Sequence, residues 1–329
     1  MSFAAERSPL KGIGLKVTAV VYFIAMAACI KAAQGDPVSG GGVPAGQAVF
    51  GRSFFALPVV FVWMAVRGEL RDGLKTANPW GHVWRGLVGT GAMLCGFGAL
   101  GLLPLPQVTA ILYAIPVFTV ILAVIFLGER IRIFRLSAVA VSIVGVAIVA
   151  WPDLALPTRL SSNENLALAR FLGASLALVS ALLSGAAQVL IRKLVETEET
   201  AAIAFYFQTS ASVFGLLTLP LGFTGLLSPW VWPSAQGWGL LFAAGVLGGI
   251  GQMLHTTAYR YADASVIAPF EYASIVFAIA IGYFVFAEVP AATTIWGTAI
   301  IVAAGIFIIW REAVTGQANA AARRAKTPL

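Results

Sequence analysis

Ten apolar runs, each about as long as a bilayer is thick, constrain this chain more than any other feature. They fall at roughly 15–34, 44–66, 82–102, 106–127, 134–151, 170–191, 201–222, 237–259, 265–287 and 292–310. About 20 apolar residues in helical form cross a hydrocarbon core of about 30 Å. Backbone N–H and C=O groups in hydrocarbon need partners within their own segment, which makes such runs helices. The pattern predicts an all-α membrane protein of ten transmembrane helices. Of the 329 residues, 59% are hydrophobic and only 11% charged, against about 25% charged in a typical soluble domain. No connection between runs exceeds about 20 residues, which leaves no room for a soluble catalytic or nucleic-acid-binding domain.

The net charge of +7 is then a matter of topology. With the N-terminus cytoplasmic, seventeen of the 21 basic residues fall on inner connections and tails and only Arg159 and Arg170 on outer ones, while Lys31 and Arg52 lie within spans. Excess Lys and Arg mark the cytoplasmic side, so both termini are expected inside, as in a multi-pass protein of a bacterial-type inner membrane. Adding or removing one span would throw every later basic cluster to the wrong side. The start of the chain, with Arg7, Lys11 and Lys16 before an apolar run and Met26-Ala27-Ala28-Cys29 within it, resembles a secretory signal. It reads better as a retained first span. Cys29 and Cys95 have no spacing suited to a disulfide framework or a metal site and read as packing residues.

The chain also repeats itself. A shift of 159 positions aligns Gly89 with Gly248, Ala99 with Ala258, Tyr113 with Tyr272, Phe118 with Phe277, Glu129 with Glu288 and Trp151 with Trp310, without a gap over some sixty residues. Five spans per copy is an odd number, so the second copy enters the membrane in the opposite sense. The expected halves are 15–152 and 168–312, flanked by cytoplasmic tails 1–14 and 313–329. Inverted repeats favour a binding site near the midplane and alternating access by exchange of the halves' conformations.

The stretch from Pro116-Val117-Phe118 to Phe126-Leu127-Gly128-Glu129-Arg130, then a small-residue span ending Ala150-Trp151-Pro152, resembles the drug/metabolite transporter superfamily, in its ten-helix branch of two EamA domains. A weaker second copy runs from Phe286-Ala287-Glu288 to Ile309-Trp310-Arg311, with the Gly-Glu-Arg turn replaced by Ala-Glu-Val. The likeness covers roughly 15–312. It implies secondary transport of a small organic metabolite, with a riboflavin-like vitamin, S-adenosylmethionine, an amino acid or an organic anion as candidate solutes, and it does not choose among them. A membrane-embedded enzyme is the competing class. It would need clustered catalytic residues, and the spans hold no HExxH motif and no aspartate pair. A receptor or scaffold is the third class, with no extramembrane part to signal through. No cofactor and no metal is expected. The expected partners are the solute, the lipid bilayer and, as the one protein partner, a second copy of the chain.

A charge at mid-membrane costs on the order of 3 kcal/mol, which makes Lys31, Arg52, His255 and Glu271 the informative residues. Arg52 lies about 9 Å below the outer end of span 2; its planar fork suits a carboxylate or phosphate of the solute, with snorkelling to the headgroups as the plain alternative. Lys31 would add to an electropositive outer vestibule or sit as an interfacial lysine. Glu271 and His255 fall in the inner half, where a His/Glu pair is suited to carry a proton or to close a hairpin structurally. An Arg52–Glu271 pair is rejected, since the two differ by about 12 Å in depth. Tyr113 and Tyr272 are repeat-related and placed to contact a flat solute, and Gln208, with Gln188 and Gln252, offers amide contacts. Pro58 and Pro116, inside spans 2 and 4, free carbonyls and bend helices, which makes them candidate gates. Glu129 and Glu288, at equivalent turns, read as carboxylates that fix loops.

Overall fold

The computed structural model describes residues 8–35, 42–68, 74–127, 133–155, 164–195, 197–224, 228–261, 270–271 and 273–307. Among them the secondary structure is helical throughout. The helices are α1 (Pro9–Gln34), α2 (Ala45–Arg67), α3 (Pro79–Leu102), α4 (Leu105–Leu112), α5 (Ile115–Leu127), α6 (Ile133–Ala155), α7 (Glu164–Leu194), α8 (Thr200–Leu216), α9 (Thr218–Phe223), α10 (Ala235–Tyr261) and α11 (Ala273–Phe286), followed by α12 (Ala292–Phe307). Six stretches are long and apolar enough to cross a membrane: Leu10–Gln34, Ala45–Arg67, Pro79–Leu102, Leu166–Ile191, Thr200–Gly222 and Ala235–Ala258. Four shorter apolar stretches join them, at Leu105–Thr119, Ala140–Leu154, Ala273–Phe286 and Ala292–Phe307. Large apolar side chains such as Phe54, Phe61, Trp84, Phe284 and Trp296 stand on the outside of the bundle, where only lipid covers them at low cost. This is a multi-pass membrane protein.

Local chemistry sets the helix ends. Asn78 caps α3 by accepting from Gly81 N at 2.9 Å, with Pro79 in the first turn, where a missing N–H costs nothing. Gly68 closes α2 in the left-handed region, at φ 70°, which a residue without Cβ adopts freely. The fourth apolar run is not one helix: α4 stops at Leu112, Tyr113 and Ala114 form a turn, and α5 resumes at Ile115. Pro116 explains the break, because it cannot donate to the carbonyl of Leu112 and its ring crowds that position. Pro58 has no such effect; α2 runs through it unbroken, and its ring lies on the exposed face.

Helix contacts repeat across the two halves. α1 packs along α10 as α3 packs along α7, α2 meets α10 as α8 meets α3, and α2 meets α8. Exchanging α1, α2 and α3 for α7, α8 and α10 maps this set onto itself, as two copies about a two-fold axis require. α6 and α12 meet through glycine. A Cβ on Gly145 would lie 2.8 Å from Gly297 O and 2.6 Å from the Ile301 side chain, and one on Gly297 would lie 2.7 Å from Gly145 O. Such contacts hold transmembrane helices through close backbone approach.

Near the start of α3 a carboxylate ties two connections together. Glu198 Oε1 accepts from Ala77 N at 2.8 Å, Asn78 N at 2.9 Å and Thr76 Oγ1 at 3.0 Å. Its Oε2 lies 3.4 Å from His82 Nε2, close but without an aligned hydrogen bond. Burial pushes this carboxyl up, and the N–H groups of Asn78 and Ala77, with His82 and Thr76, outweigh that and hold it below the usual carboxylate range.

Two outcomes are expected. Gly145→Leu and Gly297→Leu each lower the Tm of the purified protein in detergent, through a loss of stability in the range of about 1–3 kcal/mol typical of overpacking, whereas Gly239→Leu, with open space at its Cβ, leaves it unchanged. A depressed folded-state pKa stabilises above the unfolded pKa and is lost as pH falls through the folded one. The Tm advantage of wild type over Glu198→Gln is therefore complete at pH 7 and shrinks below about pH 4, which a Tm series across pH measures.

Candidate functional site

Between the halves lies a cavity of about 390 Å³, in the size range of metabolite sites. Its wall is mostly apolar, with some neutral polar side chains, and a few charged groups enter it: Lys16 from α1, Arg52 from α2, Arg85 from α3, His255 from α10, and Glu271 just ahead of α11. Lys16 is 1% exposed, Arg52 3% and Arg85 6%.

Arg52 Nη1 donates to Gln208 Oε1 at 2.7 Å, and its other contacts are weak: Met26 Sδ at 3.4 Å, Met93 Sδ at 3.8 Å and Gly248 O at 3.5 Å. Gln208 is fully buried and its amide orientation follows, since only the carbonyl end can accept from a guanidinium. The guanidinium of Arg85 lies 3.9 Å from the ring centroid of Phe207, and its Nε and Nη1 have no hydrogen-bond partner. Among the described residues, no carboxylate comes within ion-pair distance of either arginine.

Glu271 pairs with Lys16, not with Arg52. Lys16 Nζ donates to Glu271 Oε1 at 2.5 Å and stands 3.1 Å from His255 Nδ1. An ammonium has no acceptor, so Nδ1 accepts and the imidazole is neutral in this arrangement. His255 and Glu271 therefore meet through Lys16, where the sequence placed them as a direct pair. Tyr113, at the break between α4 and α5, lines the cavity with its hydroxyl 2.7 Å from Ser274 Oγ. Pro116, Gln188 and Gln252 line it too. Tyr272 and Glu129 lie outside the described residues.

Lys31 is not brought to this cavity. Its Nζ is 3.0 Å from Glu288 Oε1 and donates to Leu103 O at 2.7 Å and Leu100 O at 3.2 Å. Glu288 Oε2 accepts from Leu105 N at 2.9 Å, so Glu288 binds α1, the start of α4 and the end of α11 together. Ala287 before it holds φ at 55°, a conformation costly for a residue with a Cβ, and Glu288 N bonds back to Gly282 O at 2.8 Å. Cys29 and Cys95 are free and half-buried.

Two cations of the site were missed in the sequence. Lys16 and Arg85 belong to the seventeen basic residues assigned there to the inner side, and both are buried on the cavity. Seven residues into α1 and six into α3 put their backbones about 10 Å along the helix, where hydropathy alone still reads the end of a span. A signal existed in helical spacing: Lys16, Val20, Phe23, Ile24 and Ala27 share one face of α1, and Arg85, Gly89, Ala92 and Gly96 one face of α3, and each face lines the cavity.

A helical membrane protein that gathers buried charges around an apolar cavity between two exchangeable halves is a carrier of small solutes. The comparisons with known proteins agree. The chain belongs to the EamA-like transporter family, whose profile matches residues 10–151 and again 171–311. It is 30% identical to the S-adenosylmethionine uptake transporter of Rickettsia prowazekii over 81% of this chain and 83% of that protein. It is 29% identical to the pseudopaline exporter of Pseudomonas aeruginosa over 90% and 94% of the two chains, and 27% identical to a riboflavin transporter of Rhizobium johnstonii over 73% of each. A protein of known crystal structure shares the fold with a TM-score of 0.61 at 19% identity, covering 97% of this chain and 100% of that one.

Removing one partner of a buried ion pair leaves an uncompensated charge, whereas removing both is far less costly. Lys16→Met is expected to lower the Tm, and the double variant Lys16→Met/Glu271→Gln to recover most of the loss, with the coupling read from a double-mutant cycle of thermal unfolding in detergent.

Proposed function

We propose that the protein is a secondary transporter that carries a small organic anion across the cytoplasmic membrane by alternating access, through ten spans in two inverted halves, 15–152 and 168–312, with both termini in the cytoplasm. The supporting observation is Arg52: a guanidinium that stays charged, is 3% exposed, opens on the cavity and lacks a carboxylate partner among the described residues. A solute carboxylate would complete it. S-adenosylmethionine, the named cargo of one relative, carries net positive charge, and riboflavin, the named cargo of another, carries none at neutral pH. A cavity with three cations and one carboxylate favours an anion over either.

Two ion pairs give such a carrier its gates. In this topology Lys31–Glu288 closes the outer end and Lys16–Glu271 the inner half, and opening either side breaks one pair while the other persists. Protonating Glu271 would release Lys16, so Glu271 is the proposed coupling group. Lys16 from α1, Arg52 from α2, Arg85 from α3 and His255 from α10 are the other charged or titrating groups lining its cavity. Tyr113 and Gln208 support the solute site, and Pro116, at the helix break, is the proposed hinge.

In proteoliposomes, uptake is expected for carboxylate-bearing members of a metabolite panel. Arg52→Gln should insert normally and lose that uptake. Uptake of uncharged or cationic members alone, or undiminished uptake by Arg52→Gln, would overturn the assignment. An imposed pH gradient should drive the wild type and not Glu271→Gln; a response retained by the variant removes Glu271 as the coupling group.

A further inference from the structure

The surroundings of Arg85 are as constructed as those of Arg52. Each arginine is seated over a glycine. A Cβ on Gly89 would fall 1.9 Å from Arg85 Nη1, and a Cβ on Gly248 would fall 2.8 Å from Arg52 Nε. No side chain other than hydrogen leaves those guanidinium positions open. Gly89 and Gly248 are 159 residues apart, at equivalent places in the two halves, so the duplicated fold offers one guanidinium cradle on α3 and one on α10. The first is filled from its own helix by Arg85, and the second from α2 by Arg52.

The Arg85 guanidinium carbon sits 3.9 Å from the centroid of the Phe207 ring, a cation–π contact. Its in-plane donors remain, and Nε and Nη1 are buried without partners. The same side chain lines the cavity that Arg52 lines. Summed over the described groups there, Lys16, Arg52 and Arg85 contribute three positive charges and Glu271 one negative, with His255 neutral beside the ammonium of Lys16. The excess is two. Two unpaired guanidiniums in a low-dielectric interior are strongly unfavourable, and an occupant with two negative charges removes both penalties.

We propose that Arg52 and Arg85 form a two-guanidinium site and that the solute is an organic dianion of the dicarboxylate class, one carboxylate at each arginine. This rests on the anion-carrier reading above and adds the second charge to it. Planar guanidinium forks match carboxylates in geometry as well as charge, so both ends of the solute are recognised.

Thermal stabilisation of the purified protein in detergent tests this directly, because a ligand that binds only the folded form raises its Tm. The probes are succinate, glutarate and adipate, each beside its own monoamide, with S-adenosylmethionine and riboflavin alongside. At least one dicarboxylate is expected to stabilise the wild type with an affinity about tenfold or more above that of its monoamide, the scale of one hydrogen-bonded charge. Arg85→Gln should weaken that dicarboxylate by about the same factor, leave the monoamide unchanged, and so abolish the preference; Arg85→Lys should restore part of it. A merely structural Arg85 would weaken both probes alike. Absence of binding by every dicarboxylate, a monoamide that binds as tightly as its diacid, or equal losses in Arg85→Gln would each overturn the proposal. The wild-type preference is decisive even if the variants fail to fold. Arg52-dependent uptake of a monocarboxylate would leave the carrier reading intact and remove only the second site.

Discussion

The fastening of α1 to both ends of α11 organises the rest of the structure. Lys16 and Lys31 sit fifteen residues apart on α1, and Glu271 and Glu288 flank α11. Fifteen residues of helix span about 22 Å, most of the hydrocarbon thickness, so the two pairs tie the helices near opposite faces of the membrane. In an apolar interior each lysine would be expensive alone. Paired, each needs a carboxylate held rigidly, and the local backbone supplies that rigidity: a 3₁₀ turn at Phe270–Glu271 and the left-handed Ala287 before Glu288. The strained residue persists because three separate elements converge on its neighbour.

Those fastenings leave the cavity's other cations without partners. Glu271 is the one carboxylate among the described residues that line it, and Lys16 occupies it. Arg52 is left with an amide, a distant carbonyl and two thioethers, the last being weak acceptors, and Arg85 with an aromatic face. The electropositive character of the site is thus a consequence of where the lysines are neutralised.

Much of this was legible in the residues. The apolar runs, the shift of 159 and the Pro116 break in span 4 point to a duplicated helical membrane protein, because length, composition and a missing N–H act locally and leave marks in one dimension. Arg52 and Glu271 stand out for the same reason, as charges deep in apolar runs. Their partners do not. That Lys16 reaches Glu271 depends on α1 packing against α10 and α11, across some 250 residues of chain, and no local pattern encodes it. Arg85 and Lys16 sit near span ends, where a basic residue is ordinary, and only the helical face they share with cavity-lining neighbours separates them from loop charges.

The helix contacts are symmetric under exchange of the halves, and the chemistry is not. Lys16, Arg52 and Arg85 all come from the first half, while Gln208, Gln252, His255 and Glu271 come from the second. Position by position in the repeat, Arg85 corresponds to Ala244 and Glu271 to Leu112. A duplicated scaffold needs only shape to be repeated, since small residues such as Gly89 and Gly248 fix how closely helices approach whichever half they belong to. Charge is free to diverge, and here the cations come from one side of the cavity and the carboxylate from the other. A solute between the halves therefore meets its cations on one side only, within a frame whose helix contacts repeat.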